Sequence, residues 1–168
     1  YDHVNKKATR QVGSTFKPLV YARGLDDDKI QPCEKESTGP VIVEYGNGKE
    51  WRPQNAGKAP PEVTFYQGLQ QSINTVTARV MKRLGTNSAE VVRQTAGQMG
   101  IDESKFEPYP SICLGTMDIS VFEMVGAYGT FVNGGTFIEP IFVTRIEDKN
   151  GNILEEFTPE KNEAIRMQ

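Results

Sequence analysis

Ser14 and Lys17 stand three residues apart in the run Gly13-Ser14-Thr15-Phe16-Lys17-Pro18. On a helix that spacing puts two side chains on one face, with Cβ atoms about 5–6 Å apart, so a hydroxyl and an amine can meet. A serine hydroxyl is a poor nucleophile until a base takes its proton. A neutral lysine is such a base when burial and nearby positive charge lower its pKa. Pro18 supports a helix start here, because a missing N–H does no harm in a first turn. The free N–H groups and positive dipole end of that start would favour an oxyanion. One turn therefore offers a nucleophile, a base and half of an oxyanion hole. Serine is also a common helix cap, so the tetrapeptide alone is a weak signal.

Ser72-Ile73-Asn74 is the second candidate. It falls between two helical stretches, where a hydroxyl can relay a proton and an amide can bind a substrate carbonyl. The commoner use of Ser and Asn in such a place is to cap or punctuate the helix. His3 is the single histidine, which argues against a His-built metal site and against a Ser-His-Asp triad. Cys33 and Cys113 have no metal-ligand spacing, and the sequence leaves open whether they pair; Cys113 lies in an apolar stretch and reads as a buried thiol. The acidic run Asp26–Asp28 reads as a solvated helix end. Trp51 reads first as a packing anchor, and as a cleft-lining residue second. No metal or cofactor is expected.

The elements that must position these residues follow from patterning. With 168 residues the chain is long enough for one domain that buries roughly 70% of its unfolded surface. Hydrophobic residues make up 37% and charged residues 24%, an ordinary globular balance. The net charge of −3 offers no basic surplus for nucleic acid or an anionic membrane. Met124 to Ile138, the longest charge-free stretch of the C-terminal third, is too short to span a bilayer. Residues 1–12 read as an extended or loop approach, Ser14–Leu25 as a helix, and 26–40 and 52–62 as loops. Gly46-Asn47-Gly48 joins a small hairpin. Thr64/Gln67, Asn87/Glu90 and Ser120/Glu123 have capping-box spacing and open helices. One stretch with Val76, Val80 and Leu84 runs to Gly85, and the next ends at Gly100. Val121, Met124, Val125, Tyr128 and Val132 recur at helical spacing and read as core. Residues 141–157 read as a β-hairpin around Lys149–Asn152. Tyr1 follows no leader pattern, and Asn162–Gln168 reads as a helix start, so the chain is expected to be an excerpt of a longer protein.

The flanks of both candidates carry a resemblance. Arg10-Gln11-Val12-Gly13-Ser14-Thr15-Phe16-Lys17-Pro18-Leu19-Val20-Tyr21 resembles the nucleophile segment of penicillin-binding proteins. Trp51-Arg52-Pro53-Gln54-Asn55, then Gly68-Leu69-Gln70-Gln71-Ser72-Ile73-Asn74-Thr75, is similar to that family's second motif and its run-up. Leu114-Gly115-Thr116, then Glu123-Met124-Val125-Gly126-Ala127-Tyr128 and Asn133-Gly134-Gly135, is similar to its later helix. The Arg-Gln lead-in and the Leu-Gly-Thr to Asn-Gly-Gly block look more like the bifunctional class A branch than the monofunctional class B branch.

The resemblance implies an α/β fold of the β-lactamase/transpeptidase superfamily. Residues 1–168 would be part of its transpeptidase domain: mostly α-helical, with small peripheral β-hairpins and without the central sheet strands. It implies a D,D-transpeptidase of peptidoglycan cross-linking. Ser14 would attack the carbonyl of a stem peptide ending in D-Ala-D-Ala, and Lys17 would be the base. Ser72 would shuttle the proton, and Asn74 would bind the acyl side-chain amide. β-Lactams would be trapped as esters of Ser14. The parent would carry a glycosyltransferase domain and a membrane anchor and face the extracytoplasmic, periplasmic side of the inner membrane. The superfamily's three motifs are S-x-x-K, S-D-N and K-T-G. Here the second is Ser-Ile-Asn, and no Lys-Thr-Gly or Lys-Ser-Gly occurs. The chain alone is therefore expected to be inactive and to self-associate through the apolar face that the sheet would cover. Two alternatives are a serine β-lactamase, which needs a water-activating base such as the Glu of E-x-x-L-N, absent here, and a non-catalytic penicillin-binding sensor.

Overall fold

Two helices that cross closely set the centre of the molecule. In the computed structural model, which describes residues 3–5 and 7–166, these are α1 (Lys17–Asp26) and α3 (Asn74–Leu84). Leu19 and Val20 of α1 and Val76, Val80 and Met81 of α3 are buried between them and their neighbours. Burial is worth about 1.5–3 kcal/mol for each such side chain. Gly24 sits where the helices meet: a Cβ there would lie 2.7 Å from Val80 Cγ1, so any larger residue would push α1 off α3. Against this pair pack α2 (Phe65–Gln70) and α4 (Ser88–Gln98), while α5 (Val121–Val132) packs on the strands at its two ends, 118–120 and 136–138.

Among the described residues ten short strands accompany the helices: β1 (Thr9–Gln11), β2 (Lys35–Ser37), β3 (Val43–Tyr45), β4 (Lys49–Trp51), β5 (Glu62–Thr64), β6 (Asp118–Ser120), β7 (Thr136–Ile138), β8 (Arg145–Glu147), β9 (Ile153–Glu156) and β10 (Lys161–Glu163). Among the described residues every sheet is a two-stranded antiparallel ladder. Only β3–β4 and β8–β9 are hairpins, and they are the two expected. The other three ladders join distant segments, with Arg10 opposite Ile119, Glu36 opposite Val63 and Asn162 opposite Phe137. Hence 26–40 and 52–62 are not wholly loop, because β2 and the start of β5 pair with each other. Nor do residues 161–163 begin a helix: they form β10, which satisfies its backbone against β7, and the Asn162 amide donates to the Gln98 carbonyl. Tyr1, Asp2, Lys6, Met167 and Gln168 lie outside the described residues, and with them the outer ends of the polar lead-in and of that expected helix.

Two of the three expected capping boxes form. Thr64 and Gln67 cap α2, and Ser120 and Glu123 cap α5. The third does not: Asn87 makes no side-chain cap, and Glu90 is taken by Arg93 through two hydrogen bonds of 2.8 and 2.7 Å. A bidentate charged pair outcompetes a single bond back to the N-cap.

Of the apolar stripe of α5 only Met124 packs on the core, half-buried, which corrects the expectation from its spacing for the other four residues. Val121, Val125, Tyr128 and Val132 are 52%, 60%, 40% and 84% exposed, whereas Glu123, Gly126, Ala127 and Thr130 are buried. A helix apolar on both faces is built to lie between two layers, and among the described residues only one layer meets it. Glu123 is held at the buried face by Lys105 Nζ, 2.7 Å from both carboxylate oxygens, and by the Ser120 hydroxyl at 2.5 Å. Burial would raise its pKa, but these bonds reverse the shift and keep the carboxylate ionised.

Candidate active site

Ser14 and Lys17 do not share one continuous α-helix. Gly13–Phe16 form a 3-10 turn, and α1 begins at Lys17 with Pro18 in its first turn. In a 3-10 turn residues i and i+3 eclipse, so the two positions remain stacked. Ser14 is exposed, while Lys17 is only 1% exposed. Ser14 is thus at the surface, while the Lys17 amine is buried against Ser72 and Asn74.

The buried amine meets the second candidate. Lys17 Nζ donates to the Ser72 carbonyl at 2.7 Å, to Ser72 Oγ at 2.9 Å and to Asn74 Oδ1 at 2.8 Å. Burial lowers the Lys17 pKa from the usual lysine value, and three neutral acceptors replace part of the lost hydration. Ser72 reaches Lys17 twice because its backbone is left-handed, with φ of 55°. That conformation costs a non-glycine residue on the order of 1–3 kcal/mol. It is held at the end of α2, where Ser72 N donates to the Leu69 carbonyl and Ile73 N to the Gly68 carbonyl. Asn74 opens α3 and directs its Nδ2 to the Gln54 carbonyl at 2.9 Å.

The turn that carries Ser14 is braced by the segment after the Pro110–Leu114 turn and by Tyr128 of α5. Gly13 N donates to the Gly115 carbonyl at 2.9 Å, Val12 N to the Met117 carbonyl at 3.2 Å, and the Tyr128 hydroxyl to the Thr15 carbonyl at 2.7 Å. Gly115 is left-handed, and a Cβ on it would lie 2.0 Å from the Gly13 carbonyl oxygen. Gly115→Ala must therefore separate the two segments and shift Ser14. We expect it to slow reaction at Ser14 about a hundredfold, the usual cost of a displacement of about 1 Å, measured as a labelling rate in the whole protein. An unchanged rate would show that Ser14 is held from elsewhere.

Sequence reasoning missed these supports. Tyr128 reads as core from its spacing, and Gln54 and Gly115 have no role assigned beyond the resemblance that their segments carry. The remaining candidates settle simply. Cys33 is exposed and Cys113 fully buried, both as free thiols, and burial pushes the Cys113 pKa up. Trp51 is half-buried and packs on the core. Asp27 pairs with Arg23 and Asp26 with Arg166. No cluster of three His, Cys, Asp or Glu side chains suited to a metal occurs among the described residues.

Chemically, the site sets a buried amine of lowered pKa beside one hydroxyl, with a second, exposed hydroxyl one turn earlier at a helix entry. That is a frame for acyl transfer through a serine ester.

The family model "Penicillin binding protein transpeptidase domain" matches residues 4–168. Penicillin-binding protein 1A of Aquifex aeolicus is 33% identical over 168 residues, covering 98% of this chain and 22% of the relative. The chain thus spans about a fifth of the length of that relative. Among solved structures, penicillin-binding protein 1A of Haemophilus influenzae superposes with a TM-score of 0.81 at 24% identity, over 96% of this chain and 24% of that one. Penicillin-binding protein A of Mycobacterium tuberculosis, solved as a penicillin G acyl-enzyme complex, gives 0.76 at 18% identity, over 99% and 42%.

Proposed function

The chain belongs to the penicillin-binding protein transpeptidase family, and from that premise we propose that it carries the nucleophile side of a serine D,D-transpeptidase of peptidoglycan cross-linking. The observation that carries this reading is the buried Lys17 amine, bonded at once to Ser72 and Asn74 beneath the turn that presents Ser14.

Ser14 Oγ attacks the carbonyl between the last two residues of a stem peptide ending in D-Ala-D-Ala. Its proton passes to the neutral Lys17 amine. The Ser14 N–H stabilises the oxyanion, since the Gly13 N–H is already given to the Gly115 carbonyl. The proton then moves through the Ser72 hydroxyl to the leaving D-alanine nitrogen, and the C–N bond breaks to leave an ester on Ser14. An acceptor amine attacks that ester, gives up its proton by the reverse relay and frees Ser14. Asn74 binds the acyl side-chain amide. A β-lactam follows the first half of this path, but its opened ring stays attached and the ester persists.

The parent we propose is bifunctional and membrane-anchored, working on the extracytoplasmic, periplasmic face with a glycosyltransferase domain. No helix among the described residues is long and apolar enough to cross a membrane. No Lys-Thr-Gly occurs in the 168 residues. The strand that would bind the substrate carboxylate and complete the oxyanion hole therefore belongs, on this reading, to another part of the parent.

The test is incubation of the whole protein with a donor peptide ending in D-Ala-D-Ala and an amine acceptor, read by mass spectrometry. Released D-alanine together with a cross-linked product is expected. Penicillin capture without either product would favour a sensor; rapid hydrolysis of the penicillin would favour a β-lactamase. The 168-residue chain alone should be acylated at least about 10²–10³ times more slowly than the whole protein, the cost of one lost oxyanion donor. Equal rates would show that this chain needs no added strand.

A further inference from the structure

The Pro53-Gln54-Asn55 loop lies outside the catalytic contacts, yet it touches both residues that open α3. The Gln54 carbonyl accepts from Asn74 Nδ2 at 2.9 Å. Asn55 Oδ1 accepts from Thr75 N at 3.0 Å, one of the N–H groups that α3 cannot satisfy itself. Asn55 Nδ2 donates to the Thr38 carbonyl at 3.2 Å, and Thr75 Oγ1 donates to the same oxygen at 2.8 Å. Thr38 and Thr75 are buried, as is Pro53. Asn55 thus ties the loop to the residue beside Asn74 through a closed set of backbone and side-chain bonds.

We infer that Asn55 is a positioning residue: by fixing the Gln54 carbonyl against Asn74, it decides which end of the Asn74 amide faces Lys17, and so which groups can exchange a proton with the amine. This rests on the acyl-serine reading above.

The argument is a count of donors. As an ammonium, Lys17 has three hydrogens, and three acceptors at 2.7–2.9 Å take them all. After losing one proton it has two hydrogens and a lone pair. The Ser72 carbonyl can only accept. Asn74 Oδ1 can only accept while the amide holds this orientation. These two keep the two hydrogens, and the lone pair is left to a hydroxyl, that of Ser72 or of Ser14. If the Asn74 amide turned over, its NH2 would face Nζ. It would repel the ammonium and, in the neutral state, occupy the lone pair with a hydrogen that an amide does not give up. The Gln54 carbonyl prevents this, because turning Asn74 over would set two acceptor oxygens against each other.

The experiment uses the whole protein with Asn55→Ala and Asn55→Asp. Each is assayed for its second-order rate of acylation by penicillin across pH, with Ser14→Ala as the unlabelled control. Asn55→Ala is expected to lower the high-pH plateau ten- to a hundredfold, roughly the cost of a misplaced catalytic group. It should also move the rising limb of the profile to lower pH, since losing an acceptor destabilises the ammonium. The ionisable neighbour that Lys17 feels is the Cys113 thiol, which is fully buried and neutral over this range, so the limb reports on Lys17. Asn55→Asp keeps an oxygen for Thr75 N but loses the donor to the Thr38 carbonyl and adds a negative charge near Lys17, so it should recover part of the plateau and move the limb to higher pH instead of lower. An unchanged plateau and limb in Asn55→Ala, with Ser14 still labelled, would overturn the inference and leave the acyl-serine reading standing. A lowered plateau with an unmoved limb in both variants would reduce Asn55 to a structural role. Failure of the unsubstituted protein to label at all would instead overturn the acyl-serine reading and this inference with it.

Discussion

Ser14→Ala is expected to abolish covalent capture of penicillin by the whole protein. The intact mass of the unsubstituted protein should rise by one drug mass, and that of the variant should not change. Removing a nucleophile that acts as a unit with its base costs on the order of 10⁶ in rate, so no labelled fraction should appear on a practical timescale. The fold should tolerate the change, because Ser14 is exposed and such surface substitutions shift stability by only about ±0.5 kcal/mol. The sharper question is which serine is attacked, since the hydroxyl bonded to Lys17 Nζ belongs to Ser72. Ser14 sits at the entry of a helical turn, where its own N–H can receive an oxyanion, while Ser72 is folded back over the buried amine with its carbonyl pinned to Nζ. Ser72→Gly separates the two roles. Glycine adopts the left-handed conformation of position 72 without strain, so the backbone should hold while the proton relay is lost. That variant should still be labelled at residue 14, only more slowly. Undiminished labelling of Ser14→Ala, or a label found on residue 72, would reverse the assignment.

The parts of this site that were legible in the sequence are those one turn can hold. Ser14 and Lys17 are neighbours by helical geometry alone, and the boxes at Thr64 and Ser120 form because their partners lie within the same turn. The Asn87–Glu90 pair has the same spacing and fails because Arg93, one turn further on, binds Glu90 more strongly. The contact of Lys17 with Ser72 and Asn74 spans 55 and 57 residues and exists only because α1 packs on α3. What suggested it beforehand was the family resemblance, not any period. Three-residue strands paired across a hundred positions, such as β1 with β6, are too short to show alternation. The Gln54 carbonyl leaves no mark at all, because every residue has one. The α5 stripe misled for a related reason: period tells which residues share a face, not whether anything covers it.

Lys17→Arg is the second test with a large expected effect, and the reasoning turns on a buried base. Nζ lies in a site with only 1% of the residue exposed, and burial lowers its pKa from the ordinary lysine value. Below that lowered value the amine keeps its proton and the acylation rate should fall about tenfold per pH unit. Above it the rate should level off, at a pH below that which a solvent-exposed lysine would require. Arginine keeps the positive charge and can still donate to the Ser72 carbonyl and Asn74 Oδ1, but it holds its proton at any accessible pH. Acylation should drop about 10²–10⁴-fold, the usual worth of a general base, and the pH limb should vanish. Since a guanidinium is bulkier in a closed site, Lys17→Met serves as the second variant: it removes the amine at similar length and should show the same loss. Its stability gives an independent check with a defined sign. A lysine whose folded pKa lies below its unfolded one binds fewer protons when folded, so the native protein gains stability as pH rises from the lowered value toward the ordinary one. Lys17→Met has no such term. Relative to that variant the unsubstituted protein should gain stability as pH rises over this interval, on top of a pH-independent offset from the three hydrogen bonds that Met cannot make. Near-normal acylation by Lys17→Arg at every pH would mean that another group takes the Ser14 proton.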